Sequence, residues 1–89
     1  MQIPKGLLIK TKWSGATNSR PYPVILATCR RDTEFTWSAQ FRVELGLGDD
    51  WNHYEAAKKL VGRYLQDLKI VARGYDRDGQ YFIAAPNNE

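Results

Sequence analysis

The chain has very few of the residues that build disulfide frameworks and metal sites. Its 89 residues include one cysteine, Cys29, and one histidine, His53. An internal disulfide is therefore excluded, and a zinc site would need more thiol or imidazole ligands than this sequence supplies. We expect no metal and no other cofactor, and the cysteine usage fits a reducing compartment.

Long apolar runs and nucleotide-binding glycine patterns are also absent. No apolar run approaches the roughly 18 residues of a membrane span, and the N-terminus has no hydrophobic leader region. Neither G-x-x-x-x-G-K-[ST] nor G-x-G-x-x-G occurs. We therefore predict a cytoplasmic protein that folds as one domain over residues 1–89.

Acidic residues are missing from the first third of the chain. Residues 1–31 hold six basic residues and no acidic one, whereas residues 32–50 have a net charge of −4, within an overall charge of +3. A basic segment of this kind suits a polyanionic partner. The alternative is that these cations are simply the solvated side chains of strands.

The strongest helical pattern lies in residues 49–68. Apolar residues recur there at spacings of three and four, as on one face of an amphipathic helix: Ala57, Leu60, Val61, Tyr64 and Leu68. Asp49 or Asp50 is the predicted N-cap, because a carboxylate can accept from the free N–H groups of the first turn. We expect the helix to begin within a few residues of Trp51.

The other segments have the alternation and the turn residues of strands. The predicted strands span residues 6–13, 24–30, 33–39, 69–75 and 81–84, with turns at 31–32 and 76–79. The alternation of Phe41, Val43 and Leu45 favours a longer third strand. The order β-β-β-α-β-β predicts an α+β fold, in which a single helix covers one face of an antiparallel sheet of about five strands. The other face is then solvated, a binding surface or a dimer interface.

Five short motifs extend over about residues 10 to 85. They are Lys12 to Arg20 (KWSGATNSR), Ile25 to Thr28 (ILAT), the aromatic strand pair Thr36-Trp37, the Asn52-His53 pair before Ala56-Ala57, and the glycine and aromatic residues from Gly74-Tyr75 to Tyr81-Phe82. Together they resemble a group of short phage and mobile-element proteins with a K-[WY]-x-G-x-T-N-x-R opening and an Asn-His helix start. The resemblance implies a genetic setting rather than an activity. The sequence departs from the group at Pro21-Tyr22-Pro23, where a shorter link is usual.

The candidate binding residues combine cations, loop polar groups and aromatic rings. Basic side chains bind phosphate or carboxylate groups, and exposed aromatic rings beside them can hold unstacked bases. The alternative for the loop is that Thr and Asn side chains only stabilise its turn. The candidates are Lys10, Lys12, Trp13, Thr17, Asn18, Arg20, Tyr22, Arg30 and Arg31.

We predict no catalytic residue. His53-x-Glu55 matches half of the zinc deaminase signature, but the required P-C-x-x-C is missing. Cys29 lies within an apolar strand, where cysteine usually behaves as a small hydrophobic residue rather than a nucleophile. His53 is expected to support the first turn of the helix and to bond to Asp49, Asp50 or the loop 17–20.

These observations predict a small non-catalytic binding protein that contacts nucleic acid or a nucleoprotein through its basic N-terminal sheet face and loop. If the first two strands pair antiparallel, Arg30 and Arg31 lie near Lys5 while Lys12 and Arg20 lie at the other end. The charge would then form a stripe. The alternative is a protein-binding inhibitor or adaptor of a host machine, for example one with anti-CRISPR action. No membrane partner is expected.

Overall fold

The fold consists of five strands and one helix. The computed structural model describes residues 6–30 and 36–86. The elements are β1 (Leu7–Ser14), β2 (Val24–Arg30), β3 (Thr36–Arg42), α1 (Asp49–Tyr64), β4 (Leu68–Asp76) and β5 (Gly79–Pro86). The predicted α+β class and the predicted element order are both confirmed.

One open antiparallel sheet contains all five strands, in the spatial order β3-β2-β1-β5-β4. The central strand β1 pairs with β2 on one side and with β5 on the other, so that Ile9 lies opposite both Cys29 and Phe82. β2 also pairs antiparallel with β3, the next strand along the chain. Residues 31–35, which include Arg31 and the predicted turn at 31–32, lie outside the described part of the chain, as does Lys5.

Helix α1 packs on one face of this sheet and forms the core with it. The buried side chains of the helix recur at the predicted spacings, and alternate residues of the strands meet them. Ile9 and Thr11 share this face and are both fully buried. The main buried cluster comprises Ile9, Ile25, Ala27, Cys29, Ala39, Ala56, Ala57, Leu60, Val61, Leu65, Phe82 and Ala84.

The C-terminal end of the helix differs from the prediction. The pattern placed Leu68 on the helix, but α1 ends at Tyr64 and Leu68 begins β4. Leu65 leaves the helical conformation with φ −131° while its N–H still bonds to the carbonyl of Val61. A leucine spaced for a further helical turn is instead the first residue of the edge strand, because the chain reverses at Leu65, which is itself buried.

The N-terminal cap also differs from the prediction. The cap residue is Gly48, whose φ of 84° favours glycine, and no side chain caps it. Asp49 and Asp50 already belong to the first turn, so their carboxylates cannot take the cap position. Asn52 fixes the approach to the helix instead, because its amide donates to the carbonyls of Glu44 and Gly48 and accepts from the N–H of Glu44.

The strand boundaries show two further details. β3 extends to Arg42, and the alternation that continues through Leu45 in the sequence passes into a turn. β4 has an irregularity of register between Ile70 and Ala72, which is a β-bulge. Within residues 6–30 and 36–86, no helix is long and apolar enough to cross a membrane.

Truncation of Leu60 tests the position of the core. Leu60 has no exposed surface, so Leu60→Ala should lower the free energy of unfolding by about 2–5 kcal/mol. Urea denaturation measures this change. Leu45→Ala is the control, because Leu45 is 95% exposed. A loss below about 0.5 kcal/mol for Leu60→Ala, which is typical of surface sites, would contradict the packing described here.

Gly62 offers a test in the opposite direction. It lies on the exposed side of α1, and a Cβ placed there would meet nothing within 4 Å. Gly62→Ala should therefore stabilise the protein by up to about 1 kcal/mol, since alanine restricts the unfolded chain and favours the helix. Gly79→Ala should destabilise it, because a Cβ at Gly79 would lie 2.5 Å from the carbonyl oxygen of Thr11. Destabilisation by Gly62→Ala would contradict the exposed setting.

Candidate functional site

The face of the sheet that α1 does not cover is the first candidate surface. We call it the open face. Because successive residues of a strand point to opposite faces, the strand residues between the buried ones lie on it. Five cations of the described chain belong to the open face by register: Lys10, Lys12, Arg30, Arg42 and Lys69.

Three of these five cations are predicted site residues, and two were missed. Lys10, Lys12 and Arg30 follow from the alternation of β1 and β2. Arg42 lies opposite Val24, and Lys69 lies opposite Ala85, so both join the open face only through pairing with another strand. The sequence signal that could have found them is the alternation of side chains between the two faces of each strand, once the pairing register of that strand is known.

Aromatic rings lie next to two of these cations. The Lys10 ammonium is 5.9 Å from the centre of the Tyr81 ring, and the Arg42 guanidinium is 4.4 Å from the centre of the Tyr22 ring. Such distances allow cation–π attraction. Tyr81 also bonds to Asp76, and this hydrogen bond raises the pKa of the Tyr81 hydroxyl.

The loop after β1 is held together mainly by Arg20. Its Nη2 donates to the carbonyl of Gly15 at 2.6 Å and to Ser14 Oγ at 3.2 Å, and its Nε donates to the carbonyl of Tyr22 at 3.1 Å. Thr17 Oγ1 accepts from the Arg20 N–H. These contacts agree with the structural alternative for this loop. Asn18 is exposed.

A groove beside the N-terminal end of α1 is the second candidate site. It has a volume of about 710 Å³ and lies between that helix end, the end of β1 and the hairpin of β4 and β5. Trp13 and Tyr75 line it and are 56% and 82% exposed. Lys12, which belongs to the open face, lines the groove as well, so the two sites adjoin.

His53 lies at the base of this groove and is 5% exposed. Its Nδ1 is hydrogen-bonded to Thr11 Oγ1 at 2.7 Å, and the same Oγ1 lies 3.2 Å from the carbonyl oxygen of Gln80. Nε2, the other ring nitrogen, lies 3.8 Å from Asp49 Oδ1.

The partner of His53 was therefore only partly predicted. Asp49 was among the expected neighbours, but the hydrogen bond goes to Thr11 rather than to Asp50 or the loop 17–20. Burial lowers the pKa of His53, and this effect exceeds the opposing influence of the nearby carboxylates. The imidazole is thus neutral at pH 7.

Asp50 connects the helix to the β4–β5 hairpin. Its carboxylate accepts from Arg73 at 3.2 Å and from the side-chain amide of Gln80 at 3.0 Å. The hydrogen bond from Arg73 is the main reason that the pKa of Asp50 is lowered. This cluster holds one wall of the groove in place.

Cys29 lies far from solvent on the helix-covered face, 1% exposed. Cys29 pairs with Ile9 of β1, whereas His53 contacts Thr11, so the thiol and the imidazole lie next to different residues of that strand. Among the residues that the structure describes, no three His, Cys, Asp or Glu side chains form a group that could hold a metal ion.

No family model, curated protein or solved structure matches this chain significantly.

The lowered pKa of His53 gives a prediction for stability against pH. In the unfolded chain the imidazole gains its proton near pH 6.5, whereas in the folded protein it does so at lower pH. The unfolded state therefore binds more protons as the pH falls below about 6.5, and stability decreases by at most about 1.4 kcal/mol per pH unit.

Urea denaturation at pH 7.5, 6.5 and 5.5 measures this dependence. His53→Asn is the matched variant, because its amide places a neutral polar group near the position of Nδ1 and does not titrate. The variant should lose less stability than the wild type over this range. Equal slopes for the two proteins would contradict the buried, neutral histidine.

Proposed function

We propose that this chain is a small non-catalytic protein that binds nucleic acid, bare or within a nucleoprotein, through the open face. The observation that carries the proposal is the charge of that face. Lys10, Lys12, Arg30, Arg42 and Lys69 lie there, and in the described part of the chain Asp76 is the strand carboxylate that shares the face. Asp76 Oδ1 accepts from the N–H groups of Asp78 and Gly79 in the hairpin turn, and Lys10 is near enough to contribute to lowering the pKa of Asp76. On this face, one strand carboxylate therefore stands against five cations.

The cations are spread along the sheet rather than gathered at one point. By register, Lys69 is level with the start of β1, and Arg42 is level with its last residue, Ser14. Eight residues of strand separate these two levels, which corresponds to about 26 Å. A stripe of this length suits a backbone of phosphates better than a small anion.

Tyrosine rings among the cations favour a single strand over a duplex. Tyr81 lies beside Lys10, and Tyr22 lies beside Arg42. Bases stack on aromatic side chains when they are not paired with another strand, while nearby cations hold the phosphates. A sheet face that carries both groups can meet the two parts of an unpaired nucleotide.

A protein partner is the second candidate function, and Leu8 is the observation that favours it. Leu8 is 52% exposed on the open face, opposite Ile83 of the neighbouring strand. An apolar centre with cations around it suits an acidic protein surface. An inhibitor or adaptor of a host machine would use the face in this way, as would be natural in a phage or mobile-element setting.

Salt dependence of binding tests the main proposal. Each phosphate contact that is lost should reduce the slope of log affinity against log salt by about 0.7 for a single strand. Lys10→Ala with Arg30→Ala removes two such contacts, so the slope should fall by about 1.4. Fluorescence anisotropy with a labelled single-stranded oligonucleotide, from 50 mM salt upwards, measures it.

Lys58→Glu is the matched control. It lowers the net charge by the same two units at an exposed position on α1, which is away from the open face, so the slope should stay near the wild-type value. No binding by the wild type at 50 mM salt would contradict the proposal and favour the second candidate function, binding of a protein partner. Equal slopes for Lys58→Glu and for Lys10→Ala with Arg30→Ala would show that the open face is not the contact.

A further inference from the structure

We infer that the groove beside α1 binds one nucleobase, held between the rings of Trp13 and Tyr75. This inference rests on the proposed function and names a site for one nucleotide of the strand on the open face. The volume of about 710 Å³ lies within the range of about 300–1,000 Å³ that is usual for small-ligand sites.

The two rings are placed to form opposite walls. Tyr75 is paired with Gln80, which is paired with Thr11, and Trp13 follows two residues after Thr11. Both side chains therefore project from the helix-covered face, separated by two strand spacings, about 10 Å, and by about 7 Å along the strands. At 56% and 82% exposure, each ring has a free surface, and this separation leaves room for a planar ring between them.

The groove offers hydrogen-bond acceptors. The Asp49 side chain lines it and is 78% exposed. Its carboxylate has two neighbouring oxygens, and both accept hydrogen bonds. Two neighbouring acceptors are complementary to a ligand edge with neighbouring N–H donors.

Among the four bases, guanine has the edge that matches these acceptors best. Its N1–H and its N2 amino group are adjacent donors, and the O6 beside them is an acceptor. Lys12 and Arg77, which also line the groove, can donate to that oxygen. We therefore expect guanine to bind more tightly in the groove than thymine, which offers a single N–H.

Lys12 makes the groove continuous with the open face. It lies opposite Leu26 in the register of β1 and β2, which places it on the open face, yet it also lines the groove. A strand that follows the cations along β1 thus reaches the groove at Lys12. One nucleotide can turn its base into the groove there while the neighbouring phosphates remain on the cations.

Two octamers of deoxyribose phosphates separate binding at the open face from binding in the groove. One is fully abasic, and the other carries a single central guanine. The abasic octamer tests the open face alone, and the added base tests the groove. For the wild type, the guanine should increase affinity about 5- to 160-fold, as expected for stacking of one base. Trp13→Ala and Tyr75→Ala should each remove most of this gain without changing the affinity for the abasic octamer.

Three further variants complete the test. Trp51→Ala removes another exposed tryptophan (60% exposed) that does not line the groove, so it should keep the gain. Lys10→Ala with Arg30→Ala should weaken both octamers and keep the gain. Asp49→Asn should reduce the gain from guanine and leave that from a central thymine unchanged.

The possible failures are distinguishable. Binding of the abasic octamer without any gain from a base would overturn the groove site and leave the proposed function intact. A gain that survives both Trp13→Ala and Tyr75→Ala would place the base elsewhere and overturn the inference. A thymine gain equal to the guanine gain, or a guanine gain unchanged in Asp49→Asn, would overturn the assignment of guanine. No binding of either octamer would reject the proposed function together with the inference.

Discussion

The coverage of a five-stranded sheet by a single helix is the constraint on which both candidate sites depend. A helix of 16 residues is about 24 Å long, and α1 lies mainly over β3 and β2, with little contact to β4 and β5. One face of the sheet is therefore left to solvent and to polar or charged side chains. The β4–β5 hairpin also extends beyond the helix, and the space between them is the groove.

Local patterns in the sequence predicted the parts of this fold that depend on neighbouring residues. β2 was predicted with its observed bounds, and the alternation of β1 placed Lys10 and Lys12 together on one face. Contacts between distant segments were not predictable in this way. The bond of His53 to Thr11 joins residues 42 positions apart, and Lys69 joins the open face only through its pairing with β5. The groove depends on how a hairpin and a helix end meet, which no local pattern describes.

Thr11 is a polar residue in the centre of the core, and its hydroxyl joins three elements. Thr11 belongs to β1, and its hydroxyl contacts Nδ1 of His53 on α1 and the carbonyl of Gln80 on β5. Its neighbours Lys10 and Lys12 are exposed on the opposite face. A shift of β1 by one residue would bury a lysine against the helix and expose Thr11, because successive side chains alternate. The same hydrogen bonds thus specify the register of the central strand and orient the imidazole towards the groove.

The two outer strands, β3 and β4, have edges that are available for pairing with another chain, which is the usual start of β-aggregation. The bulge between Ile70 and Ala72 interrupts the regular ladder of β4, and bulges increase the local twist of a strand. On β3, the carbonyl of Gln40 accepts from Lys59 Nζ at 2.6 Å, which places a cation at that edge. Deletion of Val71 would remove the bulge and leave a straighter outer strand, and a bulge is one of the features by which sheet proteins disfavour edge-to-edge association between copies.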